Sequence, residues 1–384
     1  MAAQTIEASD FEPAWLNFEQ GKRAFSDKNF GSALVFFESA IESRRKEFVT
    51  ASAKLEQIRA LKQAKDGSIK NTLAAFAKED FIQRDYAALV KGREPFSREL
   101  LLDLKKERIS DSHRSFLDVL LAVGEYYPLN KLNDSIAELS RRVFLLASFP
   151  EAEYWKGRLF FIEGELSLAE NQYERAFSKA ESLDIKEEQY TFLYALAEIY
   201  EVRGNWTAWE SVLLKITNSL DTSIDNYLKR AMENTLLESG FDHFMTLYRF
   251  DPSYSLLANT KLAAYYIENG RAQALLHGAI AVNMILSKAI KMINEKDSDY
   301  VWQGLEDFMK RSKSERVQNY LEENNFLSCL LCLADSLYVV GARAPAIYLW
   351  RNIAVTNKKP QSVTALQRLA APASAIRQAL DSGL

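Results

Sequence analysis

The stretch GRLFFIEGELSLAENQYERA, residues 157–176, decides the fold class of this chain, because its spacing returns in GKRAFSDKNFGSALVFFESA, residues 21–40. Both stretches place small residues at offsets 0, 12 and 19 and bulky apolar or aromatic residues at offsets 4, 9 and 16. Small residues recur where two helices must touch, and bulky residues recur where they must fill space. A repeated two-helix unit predicts a stacked solenoid, and such a solenoid generally offers a binding surface.

Each stretch predicts a helical hairpin with a tight turn, at residues 27–29 in the first hairpin and 163–165 in the second. Gly21 lies inside the first helix, where glycine costs about 1 kcal/mol relative to alanine, so close approach of the paired helix is the natural explanation. Helix breakers are scarce, with 14 glycines and 8 prolines in 384 residues. Apolar residues recur at i, i+3 and i+4, and the predicted class is therefore all-α.

These residues resemble the tetratricopeptide repeat (TPR), a helix–turn–helix unit of about 34 residues. Three weaker copies follow, with Ala197, Ala263 and Ala334 as the small residue of the first helix. The copy at Ala197 departs from the pattern, because Trp209 stands where a small residue belongs. Its ring must force the helices apart or meet a smaller partner. The resemblance implies a right-handed α-solenoid of TPR-like helix–turn–helix repeats, several of them degenerate.

The intervals between the weaker copies leave room for further helices. The interval from Ala197 to Ala263 and the interval from Ala263 to Ala334 are each close to twice the length of one repeat. We expect one additional helical pair in each interval. The first candidate pair consists of a helix at residues 227–239 and a helix at residues 241–250. The second candidate pair lies within residues 281–311 and consists of a helix ending near Ile293 and a helix at residues 300–309.

Residues 44–149 are predicted to be helical but irregular. The second helix of the first hairpin runs on past Leu61, with a stop and restart expected at residues 65–68. Further helices are expected at about residues 98–108, 110–127 and 132–147. The chain is thus predicted to divide into an N-terminal TPR-like hairpin (1–43), an irregular helical region that leaves hidden repeats open (44–149) and the main TPR-like array (150–384).

No constellation of side chains predicts catalysis or metal binding. The net charge is −4 with both signs interspersed, which is untypical of a nucleic-acid or membrane-surface binder. The three histidines are far apart in sequence, and Cys329 and Cys332 lie in an apolar helical run typical of buried cysteines. No phosphate-binding loop or nucleophile elbow occurs. We expect no enzyme, no catalytic residues, no cofactor, no metal and no nucleic-acid partner.

Residues 1–10 lack the basic and apolar regions of a signal peptide, and no run of 18 apolar residues predicts a membrane span. We therefore expect no direct membrane insertion. The compartment stays open between the cytoplasm and, if a leader was trimmed, the periplasm. Because no polar capping helix closes the array, the natural protein is expected to continue beyond residue 384.

The TPR resemblance implies that other proteins bind a concave groove lined by the first helix of each hairpin. By their position in the pattern, three residues of each of three hairpins face this groove: Phe18, Lys22 and Phe25; Tyr154, Arg158 and Phe161; Tyr194, Glu198 and Glu201. Aromatic residues and arginine suit protein recognition. The alternative for each aromatic residue is that it packs within or between repeats.

The predicted function is a non-enzymatic scaffold or adaptor that binds other proteins as a component of a larger complex. Self-association through exposed terminal helices is also possible. The aromatic-rich, glycine-poor repeats are similar to TPR proteins of spirochaetes, including those of the flagellar-motor collar, which implies a role in the motor or the cell envelope. The alternative is a ligand-binding solenoid that serves as a periplasmic capture or transporter-associated protein, because 12% aromatic residues can line an apolar pocket.

Overall fold

The computed structural model describes residues 12–76, 102, 105–106, 114, 129–295 and 300–375. The helices predicted at residues 98–108 and 110–127 lie almost wholly outside these ranges. Within the described residues the chain is helical and contains no strand, so the all-α prediction is confirmed. The chain forms two compact units, Met1–Gln189 and Tyr190–Leu384.

The first unit contains two hairpins and a long excursion between them. Its helices are α1 (Ala14–Ser26), α2 (Phe30–Phe76), α3 (Leu129–Leu146), α4 (Pro150–Ile162) and α5 (Leu166–Ser178), followed by 3₁₀ turns at Ala180–Ser182 and Lys186–Glu188. Helix α2 runs without interruption through residues 65–68, so the predicted break is wrong. One glycine inside a helix costs about 1 kcal/mol, which a 47-residue helix tolerates.

The hairpins at Gly21 and Gly157 are direct neighbours in space although they are far apart in sequence. The ring of Phe25 lies 5.0 Å from that of Trp155, and the ring of Phe18 lies 5.1 Å from that of Phe149. Helix α4 therefore packs directly on the first hairpin. The intervening chain is an insertion in which α3 packs back along α2.

The second unit begins within α6 (Gln189–Val202), which pairs in sequence with α7 (Trp206–Leu220). The remaining helices are α8 (Asn226–Asn234), α9 (Phe241–Leu247), α10 (Ser255–Glu268), α11 (Ala274–Asn294), α12 (Leu305–Arg311), α13 (Glu315–Glu323), α14 (Phe326–Val339), α15 (Arg343–Ala354) and α16 (Gln361–Ala370), with a π-helical turn at Thr235–Ser239. Helix α10 pairs with α11, and α14 pairs with α15.

Of the two additional helical pairs predicted, one is found as expected and the other is shifted. Helices α8 and α9 occupy the first interval. In the second interval the helix that ends near Ile293 is α11, which is itself the second helix of the Ala263 hairpin, and the additional pair is α12 with α13. The physical reason is that α11 is predominantly apolar and buried through most of its length, and it contains no helix-breaking residue before Asn294 other than Gly278 near its start.

In all five hairpins the structure buries the same three positions of the second helix, although only the hairpins at Gly21 and Gly157 keep the small, bulky, small order there. The residues at offsets 12, 16 and 19 from Gly21, Gly157, Ala197, Ala263 and Ala334 are at most 3% exposed: Ala33, Phe37, Ala40; Ala169, Tyr173, Ala176; Trp209, Leu213, Ile216; Leu275, Ala279, Val282; Ala346, Trp350, Ile353. A Cβ added to Gly21 would lie 2.6 Å from the Phe37 ring. The hairpins are therefore TPR-like, and the described chain is an α-solenoid-like protein.

Helix α11 is the one described helix that is long and apolar enough to cross a membrane, but 72% of its most apolar window is buried inside the protein. Asn283 lies at its centre and is fully buried. The Asn283 amide donates to the Tyr248 carbonyl at 2.9 Å and accepts from the Phe250 N–H at 2.9 Å. These contacts are those of a core helix whose buried polar group is satisfied by the protein.

A candidate protein-binding cavity

A cavity of about 380 Å³ opens on the second unit where α6, α7 and α10 meet. We call it the Trp206 cavity. Six of its lining residues carry aromatic or charged side chains: Glu201, Trp206, Trp209, Lys261, Tyr265 and Glu268. Glu201 belongs to the end of α6, the two tryptophans to the first turns of α7, and the other three to α10. The cavity thus lies between one hairpin and the first helix of another.

Three aromatic rings form one wall of the Trp206 cavity. The ring of Trp206 stacks on that of Tyr265 with centroids 5.7 Å apart and an interplanar angle of 22°. Trp209 meets both rings edge-on, at 5.8 Å from Trp206 and 5.1 Å from Tyr265. Trp209 is only 3% exposed whereas Trp206 is 44% exposed, so Trp206 presents the accessible aromatic surface.

The bulky Trp209 is accommodated by a second bulky residue rather than by a smaller one. In the first unit the equivalent residues are Ala33 of the first hairpin and Leu159 of the next, which belong to one apolar cluster. In the second unit the same two offsets are occupied by Trp209 and Tyr265. An interface that is filled by alanine and leucine in one unit is held by two aromatic rings in the other, and the cavity lies beside them.

An ion pair crosses the same interface. The Lys261 ammonium lies 2.7 Å from the Glu201 carboxylate, and the Trp209 indole N–H donates to that carboxylate at 3.4 Å. In the first unit the equivalent offsets hold Phe25 and Trp155, whose rings are 5.0 Å apart. At the same two positions of the repeat, the first unit therefore has an aromatic pair and the second unit has a charged pair. The charged pair gives the cavity a polar side.

A second charged group lies next to the aromatic wall without lining the cavity. The Arg271 guanidinium lies 5.4 Å from the centre of the Tyr265 ring and 3.1 Å from the Glu210 carboxylate. Glu210 also accepts a hydrogen bond of 2.7 Å from the Tyr266 hydroxyl. The hydrogen bond to Glu210 raises the pKa of Arg271, so this guanidinium stays charged.

The predicted groove residues of the first hairpin are largely engaged in packing. Phe18 and Phe25 lie between this hairpin and α4, through the contacts with Phe149 and Trp155 given above. The Lys22 ammonium pairs with Glu19 at 2.9 Å and lies 5.4 Å from the centre of the Phe18 ring. The two aromatic residues thus occupy the interface between repeats, which was the alternative considered for them.

The predicted groove residues of the second hairpin show the same tendency. The Tyr154 ring lies 5.6 Å from that of Tyr173 in the paired helix and 6.0 Å from that of Trp155. The Arg158 guanidinium lies 5.8 Å from the centre of the Phe161 ring, and both side chains are half-buried. Tyr154 therefore packs within its repeat, and Arg158 and Phe161 form a local pair at the surface.

In the third hairpin the three predicted residues have different surroundings. The Tyr194 hydroxyl donates to the Tyr254 carbonyl and accepts from the Ala258 N–H at 3.0 Å, and burial raises its pKa. Glu198 is exposed. Glu201 is the one predicted groove residue that lines the Trp206 cavity.

Sequence reasoning missed Trp206, Lys261, Tyr265 and Glu268 as residues of one site. The available signal was Trp209, an aromatic side chain at a position where the hairpins at Gly21 and Gly157 have alanine. A second aromatic residue two positions after Ala263 would have completed the pair. Linking the two required knowing that the hairpins at Ala197 and Ala263 face each other despite the long stretch of chain between them.

One polar network of the second unit joins Asp221, Ser255, Asn259 and His277. Asp221 accepts from the Ser255 hydroxyl at 2.7 Å and from the Asn259 amide at 3.0 Å. The remaining Asn259 oxygen lies 2.7 Å from Nδ1 of His277, which must therefore donate. Burial raises the pKa of Asp221 and lowers that of His277 to about 4. Across the described residues no group of three or more His, Cys, Asp or Glu side chains could hold a metal ion.

Comparison with known proteins places the chain beside one protein of no stated function. No family model matches the chain. An uncharacterized protein of Treponema pallidum (strain Nichols) is 23% identical over 350 residues, which cover 89% of this chain and 86% of that protein. The crystal structure of the P58(IPK) TPR domain aligns with 96% of this chain and 99% of that one at 14% identity, with a TM-score of 0.18. That TM-score is too low to support any statement about this chain, whose TPR-like character follows from its own hairpins.

Proposed function

We propose that this protein is a non-enzymatic scaffold that binds other proteins, and that the Trp206 cavity is part of its binding surface. TPR-like hairpins expose the faces of their first helices, and repeat proteins of this type generally act by binding. Of the nine groove positions taken from the TPR pattern, Glu201 belongs to this site. The others remain candidates wherever their side chains stay accessible.

One observation carries the proposal. At the two offsets where the first unit has Ala33 and Leu159, the second unit has Trp209 and Tyr265, whose rings lie 5.1 Å apart beside the cavity. A sequence that departs from its own local rule does so most often at a functional site. Exposed tryptophan and tyrosine are also the side chains that contribute most to protein interfaces.

A photo-crosslinking amino acid at position 264 tests the proposal. Ala264 is exposed and lines the Trp206 cavity, and Ala344 is an equally exposed alanine of the same unit outside it. In the native organism, irradiation is expected to join the position-264 variant to one or a few proteins that the position-344 variant does not capture. Trp206→Ala should remove these products. Equal capture at both positions, or none at position 264, would contradict the proposal.

The proposal extends to a structural or assembly role in a larger complex, including the flagellar motor or the cell envelope. The aromatic-rich, degenerate style of the repeats supports this, and the relative in a spirochaete is compatible with it. The identity of the crosslinked proteins decides the point, because motor or envelope components must be among them. Self-association is tested in the same experiment, since a second copy of the chain would appear as a crosslinked dimer.

A second candidate function is the capture of a small molecule by a periplasmic or transporter-associated protein. The size of the cavity favours it, because about 380 Å³ falls within the range of about 300–1,000 Å³ typical of small-molecule sites. A ligand that binds the folded state must raise thermal stability. A metabolite library that raises the melting temperature of the wild type but not of Trp206→Ala would favour this function over the scaffold.

A further inference from the structure

Trp206 presents a fixed aromatic surface to solvent at the Trp206 cavity. The Tyr265 ring stacks on the indole with centroids 5.7 Å apart, and the Trp209 ring meets the indole edge-on at 5.8 Å. These contacts hold the indole in place, yet 44% of the Trp206 surface stays exposed. A ring that is ordered before the partner arrives loses little conformational entropy on binding, which favours affinity.

The Trp206 indole also carries a hydrogen-bond donor that the protein does not use. The neighbouring Trp209 indole N–H donates to the Glu201 carboxylate at 3.4 Å. The Trp206 indole N–H has no acceptor among the residues that the structure describes. Because an indole N–H donates and cannot accept, it favours a partner group that accepts a hydrogen bond, such as a peptide carbonyl.

The charged residues of the lining are already engaged, which favours an uncharged ligand. The Lys261 ammonium lies 2.7 Å from the Glu201 carboxylate. Glu268 interacts within the chain and is exposed to water. An acidic ligand would face both carboxylates, and a basic ligand would compete with Lys261 for Glu201. A neutral group on the Trp206 ring leaves the ion pair intact and Glu268 in water.

A proline residue in an extended segment meets these requirements together. Its apolar ring packs on aromatic side chains, and it has no N–H that would need an acceptor. A polyproline II segment makes no internal hydrogen bonds, so its carbonyls are free to accept from an indole N–H. A leucine would gain the same apolar contact, but its backbone N–H would find only a donor in the Trp206 indole.

We infer that the Trp206 cavity binds a proline-rich, extended segment of a partner protein, with a proline ring on Trp206 and a peptide carbonyl accepting from its indole N–H. This inference rests on the proposed function and specifies the chemistry of the partner. The volume of about 380 Å³ lies near the lower end of the range for ligand sites. That size suits one or two proline residues, with the rest of the segment crossing the opening.

Selection from a phage library of random dodecapeptides on the full chain tests the inference. The probes are the peptides that the wild-type chain retains and Trp206→Ala does not, so each depends on the cavity. Trp15→Ala is the matched control, because it truncates a 63% exposed tryptophan outside the cavity, and it should retain the same peptides. We expect proline to be enriched among the cavity-dependent peptides.

Synthetic versions of the selected peptides test the two contacts separately. Replacing the enriched proline by alanine should weaken binding by about 3- to 30-fold, because two buried methylene groups are lost. Trp206→Phe keeps an aromatic ring but removes the indole N–H, and it should weaken binding by about 2- to 10-fold. Equal melting temperatures of the variants and the wild type establish that the fold is intact.

Three outcomes would overturn the inference and leave the scaffold proposal standing: cavity-dependent peptides in which proline is not enriched, an affinity unchanged after the replacement by alanine, or an affinity unchanged in Trp206→Phe. If no peptide depends on Trp206, the inference is overturned as well. In that case, crosslinking from position 264 decides separately whether the scaffold proposal survives.

Discussion

Gly157→Ala is expected to destabilise the first unit, although the same change inside a helix ordinarily stabilises a protein. Gly157 lies in the middle of α4, on the side that meets the paired helix α5. A Cβ at this position would lie 2.4 Å from Cε1 and 2.6 Å from Cδ1 of Tyr173. The Tyr173 ring is fully buried, so it cannot turn toward solvent to make room.

The magnitude follows from two opposing effects. Overpacking of a buried site costs about 1–3 kcal/mol, whereas replacing a helical glycine by alanine contributes about 1 kcal/mol of stability. A contact of 2.4 Å requires the ring or the helix to move, which places the cost toward the upper end. We therefore expect a net loss of about 1–2 kcal/mol in the free energy of unfolding.

Urea titration followed by far-UV circular dichroism measures this loss, and hydrogen exchange of α5 amides locates it. Gly31→Ala is the matched control, because Gly31 is helical and a Cβ there would meet nothing within 4 Å. It should gain up to about 1 kcal/mol. Tyr173→Leu removes the clashing ring atoms, so Gly157→Ala should be less harmful in that background. Equal gains from Gly157→Ala and Gly31→Ala would refute the packing argument.

Three further predictions concern buried polar groups of the second unit. Arg368→Met should cost about 3–5 kcal/mol in urea unfolding, because it strands the buried Asp335 carboxylate that Arg368 pairs with at 3.2 Å; Lys310→Met, at an exposed pair, should change little. Burial lowers the pKa of His277 from its ordinary value of 6.5 to about 4. The folded state therefore favours the neutral imidazole, and this contribution to stability is fully present above pH 6.5. That contribution should fall away between pH 6.5 and 4 by up to about 3 kcal/mol, and a slope unchanged in His277→Gln would contradict it. Asn283→Leu should lose about 1–3 kcal/mol, because the Phe250 N–H and Tyr248 carbonyl lose their partner; a gain would argue against α11 as a core helix.

The hairpins themselves could be predicted from the sequence, because their determinants are local. Helical periodicity and the fixed offsets between Gly157, Ala169, Tyr173 and Ala176 are contained in one short stretch of chain. These residues meet across a single short turn whatever the rest of the chain does. The same local logic located the copies at Ala197, Ala263 and Ala334, and the structure buries their pattern positions in the same way.

The candidate site could be predicted only in part. Glu201 was predicted from its groove position in the TPR pattern, and the structure places it in the lining of the Trp206 cavity. Phe18 and Phe25 were placed in the same groove, yet they pack against α4. An aromatic side chain on the first helix serves a groove or an interface between repeats equally well, and the sequence pattern does not distinguish the two.

The amino-acid sequence alone determined that this chain folds into TPR-like helical hairpins, because small residues facing bulky ones across a short turn leave one way for two helices to pack. Only the tertiary structure decided which hairpins are neighbours. It placed the hairpins at Gly21 and Gly157 side by side with a long insertion between them, and it joined Trp206 and Trp209 to Tyr265 in the aromatic wall of a cavity. The physical reason is that contacts between hairpins depend on where the intervening chain places each hairpin in space. A sequence pattern within one hairpin contains no information about that placement.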